Sequence, residues 1–360
     1  MWSIFLIAAV ALASVKPCRS ADIAGETHGP VTRYGVTALA VAPSSPQKLY
    51  AGSDMAGLFK SIDGGTSWST IWSLTSGSSV TNHISDIGVD PHNADLIYVA
   101  VDSYVGSWQP GGVYKSIDGG VTWEPINEGL PGSAVSFLSI DPNISGVLYV
   151  GVSDQLYKSV DYGTTWQGSL SGIDVSVLAI DVQNSLVLYA GGRGIFKSID
   201  GGQSWASASQ GLALDKIHIS SVGIDPRHSN ILYAGGTPLA GPDSPGRVFK
   251  SIDGGATWIE TAQVGTWLRT LAIDPDRPET LYIGSSGKGG EIGTFQSVDG
   301  GTRWQRISRG GAHRLAIAPD NSQVVYAAMR TNAQGVYRFS LGDVTVIEAA
   351  GWGLIKMMFR

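Results

Sequence analysis

The octapeptide Ser-x-Asp-x-Gly-x-x-Trp constrains this chain more than any other feature: it begins at Ser61 and returns at Ser116, Ser159, Ser198, Ser251 and Ser297. Its third place holds Asp63, Asp118, Asp161, Asp200, Asp253 and Asp299, and its last holds Trp68, Trp123, Trp166, Trp205, Trp258 and Trp304. Each copy follows a short apolar-aromatic run such as Gly57-Leu58-Phe59-Lys60 and precedes another extended run, which makes it a hairpin turn. The carboxylate can accept backbone N–H bonds across such a turn, Gly supplies the positive φ a tight turn demands, and Trp packs across the hairpin. Six aspartates could equally be six catalytic or metal carboxylates. A residue repeated at one place in every repeat is needed by the repeat, so these six are assigned to the fold.

A second phrase, roughly apolar-x-x-Leu-Ala-Ile-Asp-Pro followed by Leu-Tyr-Ala-Gly, precedes each octapeptide and occurs seven times. Its copies run Val36 to Gly52, Ile84 to Ala100, Val135 to Gly151, Val175 to Gly191, Ile219 to Gly235, Leu268 to Gly284 and Ala312 to Ala328. The Val/Ile/Leu/Ala run reads as a buried strand, Asp-Pro as a turn and Leu-Tyr-Ala-Gly as the start of a second strand. Each unit is then strand, turn, strand, variable loop, strand, octapeptide, strand. A four-stranded antiparallel meander repeated seven times predicts an all-β chain, a seven-bladed β-propeller. The first strand of each blade is expected at the axis, where the small residues of Leu39-Ala40-Val41, Leu178-Ala179-Ile180 and Leu315-Ala316-Ile317 suit a crowded centre.

The seventh unit departs from the rule. Gly335 to Ser340 matches a third strand, but Leu341-Gly342-Asp343 replaces the octapeptide and no Trp follows in place. Val344 to Glu348 can supply the fourth strand, so the ring is expected to close without an N-terminal strand, Pro30 to Tyr34 being a possible addition. The single domain is placed at 22–350, with a tail at 351–360.

Composition agrees with many short strands: 48 glycines, 15% charged residues and 43% apolar residues. A formal charge of −6 gives no reason to expect a nucleic-acid partner, which would require clustered positive charge. Trp2 to Ala13 is an apolar run followed by a mixed stretch, as in a secretory signal over 1–21, although no Lys or Arg precedes it. Cleavage is expected after Ala13 or near Ser20 and Ala21, and the mature chain is then secreted or periplasmic. The only cysteine, Cys18, lies between those points, and Val15-Lys16-Pro17-Cys18 lacks the small neighbours of a lipidation box. No later segment is long and apolar enough to span a membrane. The six histidines show no metal-ligand spacing, and no Gly-rich phosphate loop joins a strand to a helix, so no metal or cofactor is expected.

Octapeptide and partner phrase together resemble the Asp-box, or BNR, propeller families: sialidases, glycoside hydrolases of family 74, the sortilin ectodomain and the propeller-type photosystem II assembly factors. The resemblance covers nearly the whole mature chain. It implies that the octapeptides are Asp-box turns on the periphery, away from the ligand face. The strongest local likeness is to family 74, whose first blade carries Tyr-Ala-x-x-Asp-x-Gly-Gly-x-Tyr with a catalytic carboxylate at the Asp. Here Tyr50-Ala51-Gly52-Ser53-Asp54-Met55-Ala56-Gly57-Leu58-Phe59 places Asp54 there, while Ala56 and Phe59 depart from the pattern. The family's second carboxylate comes from a second propeller that this chain lacks, and glycoside hydrolysis normally needs two. The alternative for Asp54 is a turn residue between strands. Neither the Phe-Arg-Ile-Pro phrase of sialidases nor their arginine triad can be matched.

Loops joining second to third strands, and blade to blade, should gather on the face opposite the octapeptides, where binding residues favour a rigid scaffold. Trp72, Tyr104, Trp108 and Trp267 lie in them and could stack on sugar rings or else cap their own blades, while Asn82, His83 and Asp102 could bond hydroxyls. A polysaccharide or oligosaccharide is the expected partner. Arg193, Arg269, Arg314 and Arg330 fall on four different blades and, if convergent, suit an acidic protein segment or anionic ligand. The photosystem II assembly factors bind a protein partner through an arginine patch, so the resemblance also implies a protein partner as the alternative.

Overall fold

The computed structural model describes residues 26–27, 35–54, 56–72, 82–103, 111–132, 134–241, 244–286, 292–329 and 335–340. They form seven four-stranded antiparallel sheets, each a sequential meander except the last, as the repeats predict. The innermost strands of blades 1 to 7 are Val36–Val41, Asn82–Val89, Val135–Ile140, Val177–Ile180, Ile217–Ile224, Leu268–Ile273 and Ala312–Ala318. Apolar clusters fill the seams between neighbouring sheets; one joins Ala38, Tyr50 and Leu58 of blade 1 to Ile84, Ile87 and Val99 of blade 2.

Ring closure differs from expectation. The outer place of blade 7 is taken by Glu26–Thr27, which pairs antiparallel with Gly335–Ser340, setting Glu26 opposite Arg338 and Thr27 opposite Tyr337. The N-terminal strand is thus borrowed, upstream of the 30–34 segment. This closure covers an edge that would otherwise expose unpaired N–H and C=O groups and ties the two ends of the ring together. Residues 30–34, 344–348, 1–21 and 351–360 lie outside the described residues.

The octapeptide turns have one hydrogen-bond scheme. In the first, the Ser61 hydroxyl donates to Asp63 Oδ1 (2.8 Å) and accepts from Gly65 N, while Ser67 donates its N–H to Oδ1 and its hydroxyl to Oδ2 (2.6 Å). The Ser67 hydroxyl, then its N–H and the Ser61 hydroxyl, lower the Asp63 pKa from 3.8 to about 2. The seventh-place hydroxyls of Thr165, Ser204 and Thr257 do the same for Asp161, Asp200 and Asp253. Both oxygens of these aspartates are therefore occupied by their own turns.

A second network crosses the seams. The Tyr of Leu-Tyr-Ala-Gly is buried in all seven blades. Tyr149 of blade 3 donates to Gly201 O in blade 4 (3.1 Å), Tyr189 of blade 4 to Gly254 O in blade 5 (2.8 Å), and Tyr326 of blade 7 to Gly64 O in blade 1 (3.0 Å). In each case the acceptor is the first glycine of the neighbour's octapeptide. Lys158 and Lys197 add a second bond to the same carbonyls of Gly201 and Gly254, with each ammonium lying 5.4 and 5.3 Å from the ring centre of Tyr149 and Tyr189. Burial pushes these phenols above their ordinary pKa, so they remain donors. In blade 6, whose neighbour has no octapeptide, Gln296 replaces the Lys and bonds its own Tyr282 (3.2 Å).

Candidate functional site

Six inner strands carry a β-bulge or register shift at the same place, one or two residues after their start in the repeat. A bulge re-aims side chains and bends the strand. The bulged residue is Thr37 in blade 1 and Ser85 in blade 2, and its hydroxyl reaches the next blade: Thr37 donates to Ile84 O (2.8 Å) and Ser85 to Val135 O (2.6 Å). The N-terminal ends of the inner strands are thereby locked side by side, and the candidate site stands on this rim.

The structure brings Asp54, His83 and Asp102 into one row. Asp54, just past the second strand of blade 1, forms an isolated antiparallel bridge with His83 at the head of blade 2, and its Oδ1 lies 3.2 Å from His83 Nε2. His83 is in turn the register partner of Asp102, which lies within the strand Ile97–Ser103 rather than in the loop after it. Asn82 heads the same inner strand as His83. Two strand spacings of about 4.8 Å set the Asp54 and Asp102 backbones roughly 10 Å apart, with His83 between them. Both the Asp54 and His83 side chains are mostly shielded from solvent.

Trp267 immediately precedes the inner strand of blade 6, and Arg269 lies with its guanidinium 5.3 Å from the Trp267 ring centre. Arg269 and Arg314 come together as lining of a cavity of about 190 Å³ at the axis, with Asp86. Arg314 Nη2 is 3.6 Å from Asp86 Oδ2, and Arg269 Nε donates to Ser286 Oγ (3.0 Å). Arg193 does not join them: it is exposed on the hairpin between Leu188–Gly191 and Ile195–Ser198 of blade 4. Trp72 packs inward, stacked on Trp123 at 5.1 Å and edge-on to Tyr114 at 5.0 Å, across the seam between blades 1 and 2. Tyr104, Trp108 and Arg330 lie outside the described residues.

A second histidine pair went unnoticed in the sequence. His218, the counterpart of His83 in blade 5, has Nε2 3.6 Å from Asp174 Oδ2 and 3.3 Å from the Ser176 hydroxyl, which lines the axial cavity. Both partners meet the same ring nitrogen, so the trio is not a relay in which Asp orients one nitrogen while the other activates Ser. A blade-to-blade alignment of inner-strand starts would have placed both histidines on one rim. Among the described residues, no three His, Cys, Asp or Glu side chains are grouped to hold a metal, and no helix is long and apolar enough to cross a membrane.

No protein-family model matches the chain. It is 25% identical over 312 residues to a xyloglucanase of Paenibacillus sp., an alignment covering 73% of this chain and 30% of that protein. The chain spans less than a third of the length of the first curated xyloglucanases it matches. Its fold is that of the GH74 xyloglucanase from Xanthomonas campestris, with a TM-score of 0.70 and 19% identity over 88% of this chain and 54% of that one. YCF48 bound to D1 peptide has the same fold, with a TM-score of 0.62 and 15% identity over 87% of this chain and 95% of that one. The relation is thus to xyloglucanase propellers, with one ring where the enzyme structure extends well beyond the matched region.

Proposed function

We propose that this chain is an exported Asp-box propeller that recognises glycans on its loop face. The observation that carries the reading is the row Asp54, His83 and Asp102, joined at the rim by one strand bridge and one ladder pair. It offers carboxylate and imidazole groups to sugar hydroxyls, and Trp267 offers a ring for stacking. The likeness to xyloglucanases supports a polysaccharide as the class of ligand. The six octapeptides serve as staples in this reading, since five of their carboxylates have both oxygens bonded within their own turns and Asp299 has its Oδ1 so bonded.

Catalysis is a separate matter. Asp54 is the residue that the resemblance matches to a family 74 carboxylate, and Asp102 is its counterpart in the strand register, but Asp54 Oδ1 meets His83 Nε2 at 3.2 Å, and His83 stands between the two in the register. The reading is therefore recognition without cleavage. Incubating the chain from Ala21 onward with xyloglucan, mixed-linkage glucan and sialylated glycans tests it by retention and by release of reducing ends. Retention without release is expected, weakened at least tenfold by Asp54→Asn; release lost in that variant would make the chain a hydrolase.

A second reading, a protein-binding scaffold or assembly factor, is favoured by one observation: the peptide-bound YCF48 structure is matched over almost its whole length. Its arginine patch would reduce, among the described residues, to Arg269 and Arg314, with Arg193 apart. Failure of every glycan to bind, together with retention of an acidic peptide, would establish this reading in place of the first.

A further inference from the structure

A residue kept at one place in every blade serves the fold, so a residue that departs from its counterparts in one blade has another cause. Two neighbouring blades depart together on the octapeptide face. The fourth-place N–H of each octapeptide donates to a carbonyl in the first turn of its own blade, supplied by Gln47, Asp95, Gly146, Leu186, Asn230 and Glu279. Of these six, only Leu186 of blade 4 is a large apolar residue. The first-turn Asp accepts, through Oδ1, the N–H of Asn93, Ile144, His228 and Arg277 in blades 2, 3, 5 and 6. Of these four, only Ile144 of blade 3 is apolar. The two departures are joined, because Asn143 Nδ2 donates to Val182 O and to Ser185 Oγ, both at 3.0 Å, tying the first turn of blade 3 to that of blade 4. The Tyr162 ring lies against Gly146, Leu186 lies beside Gly201, and Val160 and Ile199 stand two residues before Tyr162 and Gly201.

Ile144, Val160, Val182, Leu186 and Ile199 are 45% to 68% exposed and together present on the order of 500 Å² of apolar surface, a patch of the size that marks an interaction site. The charged side chains of these turns are all occupied or buried: Asp141 and Asp181 are buried, and Asp161 and Asp200 have both oxygens bonded within their own turns. Asn143, Gln183 and Gln203 donate their amides to carbonyls of the turns on this face. The first turns of blades 5 and 6 carry Arg227, Asp276, Arg277 and Glu279 instead. Beside the patch, with Val160 in its wall, a groove of about 470 Å³ lies between the outer strand Gln167–Leu170 and the octapeptide of blade 4. It is open because Ser169 stands where Ile71 and Ile126 press against the second glycine of the next octapeptide, Gly120 and Gly163.

We propose that this face pairs with the same face of a second copy of the chain, in a closed two-fold dimer. A surface without free charge is matched by another of the same kind, and a two-fold axis supplies it. At the about 65% non-polar share of homodimer interfaces, this apolar area corresponds to roughly 800 Å² per partner, the standard size. The groove accepts a side chain from the partner's patch, so the face is self-complementary in shape as well as in chemistry. No Lys or Arg lies in these turns to meet anionic lipid headgroups, which a membrane-facing patch would use. The octapeptide face lies opposite the loop rim, so pairing leaves the rim of each copy open and is independent of what the rim binds.

The test is sedimentation velocity of the full chain over a dilution series, with flotation on phosphatidylcholine vesicles in parallel. A reversible dimer with no larger species is expected. Leu186→Glu and Ile144→Arg install the residues that blade 6 carries at these places, Glu279 and Arg277, and each should weaken the dimer at least tenfold. Together they should leave a monomer. Ile252→Glu, at an exposed octapeptide position in blade 5, should leave the dimer unchanged; thermal midpoints at a dilution where the parent is monomeric report whether each variant folds. A monomer at every concentration would overturn the proposal, as would self-association indifferent to both Leu186→Glu and Ile144→Arg or weakened equally by Ile252→Glu. Growth into ever larger species would overturn the closed pair in favour of head-to-tail contact. Flotation of a monomeric chain with the vesicles, lost in Leu186→Glu, would overturn it in favour of a lipid surface.

Discussion

The seam between blades 3 and 4 and the seam between blades 2 and 3 are built from the same repeat and are held together differently. At the first, Tyr149 and Lys158 both donate to Gly201 O, the first glycine of the octapeptide in blade 4. At the second, that glycine is replaced by Tyr162, which adopts a left-handed φ of 62° and lays its ring against Gly146. Tyr98, the counterpart of Tyr149, is left with a buried hydroxyl that has no partner. Lys115, the counterpart of Lys158, pairs instead with Glu124 of its own blade (2.9 Å). Across this seam the octapeptide Trp166 donates its indole N–H to Ile126 O (2.7 Å) and its backbone N–H to Glu128 O (3.0 Å), in addition to the bonds from Ser85 to Val135 O and from Ser145 to Asp90 Oδ1. In blade 4 the corresponding Trp205 bonds Gly202 O of its own turn and Ser169 Oγ, both at 3.2 Å. Trp258 crosses the seam between blades 4 and 5 in the same way, to Ala208 O (2.8 Å), although Tyr189 and Lys197 keep their bonds to Gly254 O there, so the partner of this Trp varies independently of the Tyr and Lys contact.

The largest separation between the two seams should come from the tryptophans. Trp166→Ala is expected to cost roughly 3–5 kcal/mol, as for other buried aromatic truncations, because it removes both a packed ring and a bond across a seam that lacks the Tyr and Lys bonds to the octapeptide. Trp205→Ala, at a partly exposed ring in a seam with its Tyr and Lys bonds intact, should cost about half as much. Urea unfolding of both variants measures this, and equal losses would show that the seam between blades 2 and 3 depends on Trp166 no more than the seam between blades 3 and 4 depends on Trp205.

A smaller and opposite pair of effects is expected at the tyrosines. Tyr149→Phe deletes a bond to a carbonyl that Lys158 still satisfies, a loss of about 1 kcal/mol. Tyr98→Phe deletes a buried hydroxyl that bonds nothing, so stability should be unchanged or rise by up to about 1 kcal/mol. A loss at Tyr98 equal to that at Tyr149 would mean that both phenols are paired in solution.

These seams also show which parts of the molecule could be read in advance. Octapeptide and Leu-Tyr-Ala-Gly are local patterns, and each blade is a local meander, so the blade count and strand order were legible. Trp166 and Trp258 had a signal that was overlooked: the preceding blades carry Gly129-Leu130 and Gly211-Leu212 after a two-residue outer strand. Each of these glycines has positive φ, and a Cβ there would lie within 2.4 Å of the tryptophan carbonyl or closer. Closure by Glu26–Thr27 had no such signal, because two residues are too short for any periodicity to register. The row of Asp54, His83 and Asp102 was legible as three candidates but not as a group, since strand register between and within blades brings together residues about 20 to 50 positions apart. The axial cavity is harder still, as its lining is drawn from six blades.

The smallest effect is the most specific test of the comparison. A non-glycine residue in the left-handed region costs roughly 1–2 kcal/mol, and the added chain freedom of glycine returns about half of that to the unfolded state. Tyr162→Gly should therefore stabilise the ring by less than about 1 kcal/mol. It would also restore the glycine found at this place in the other octapeptides, whose carbonyl receives both the Tyr and the Lys of the preceding blade at Gly201 and Gly254. If that one side chain is what denies Tyr98 its bond across the seam between blades 2 and 3, Tyr98→Phe made on the Tyr162→Gly background should now cost about 1 kcal/mol, where on the natural background it costs nothing. The two substitutions would then be coupled by about 1 to 2 kcal/mol, well above the few tenths expected of independent sites. Additivity would place the cause elsewhere, in the pairing of Lys115 with Glu124, and Glu124→Gln would be the variant that frees the lysine to cross the seam.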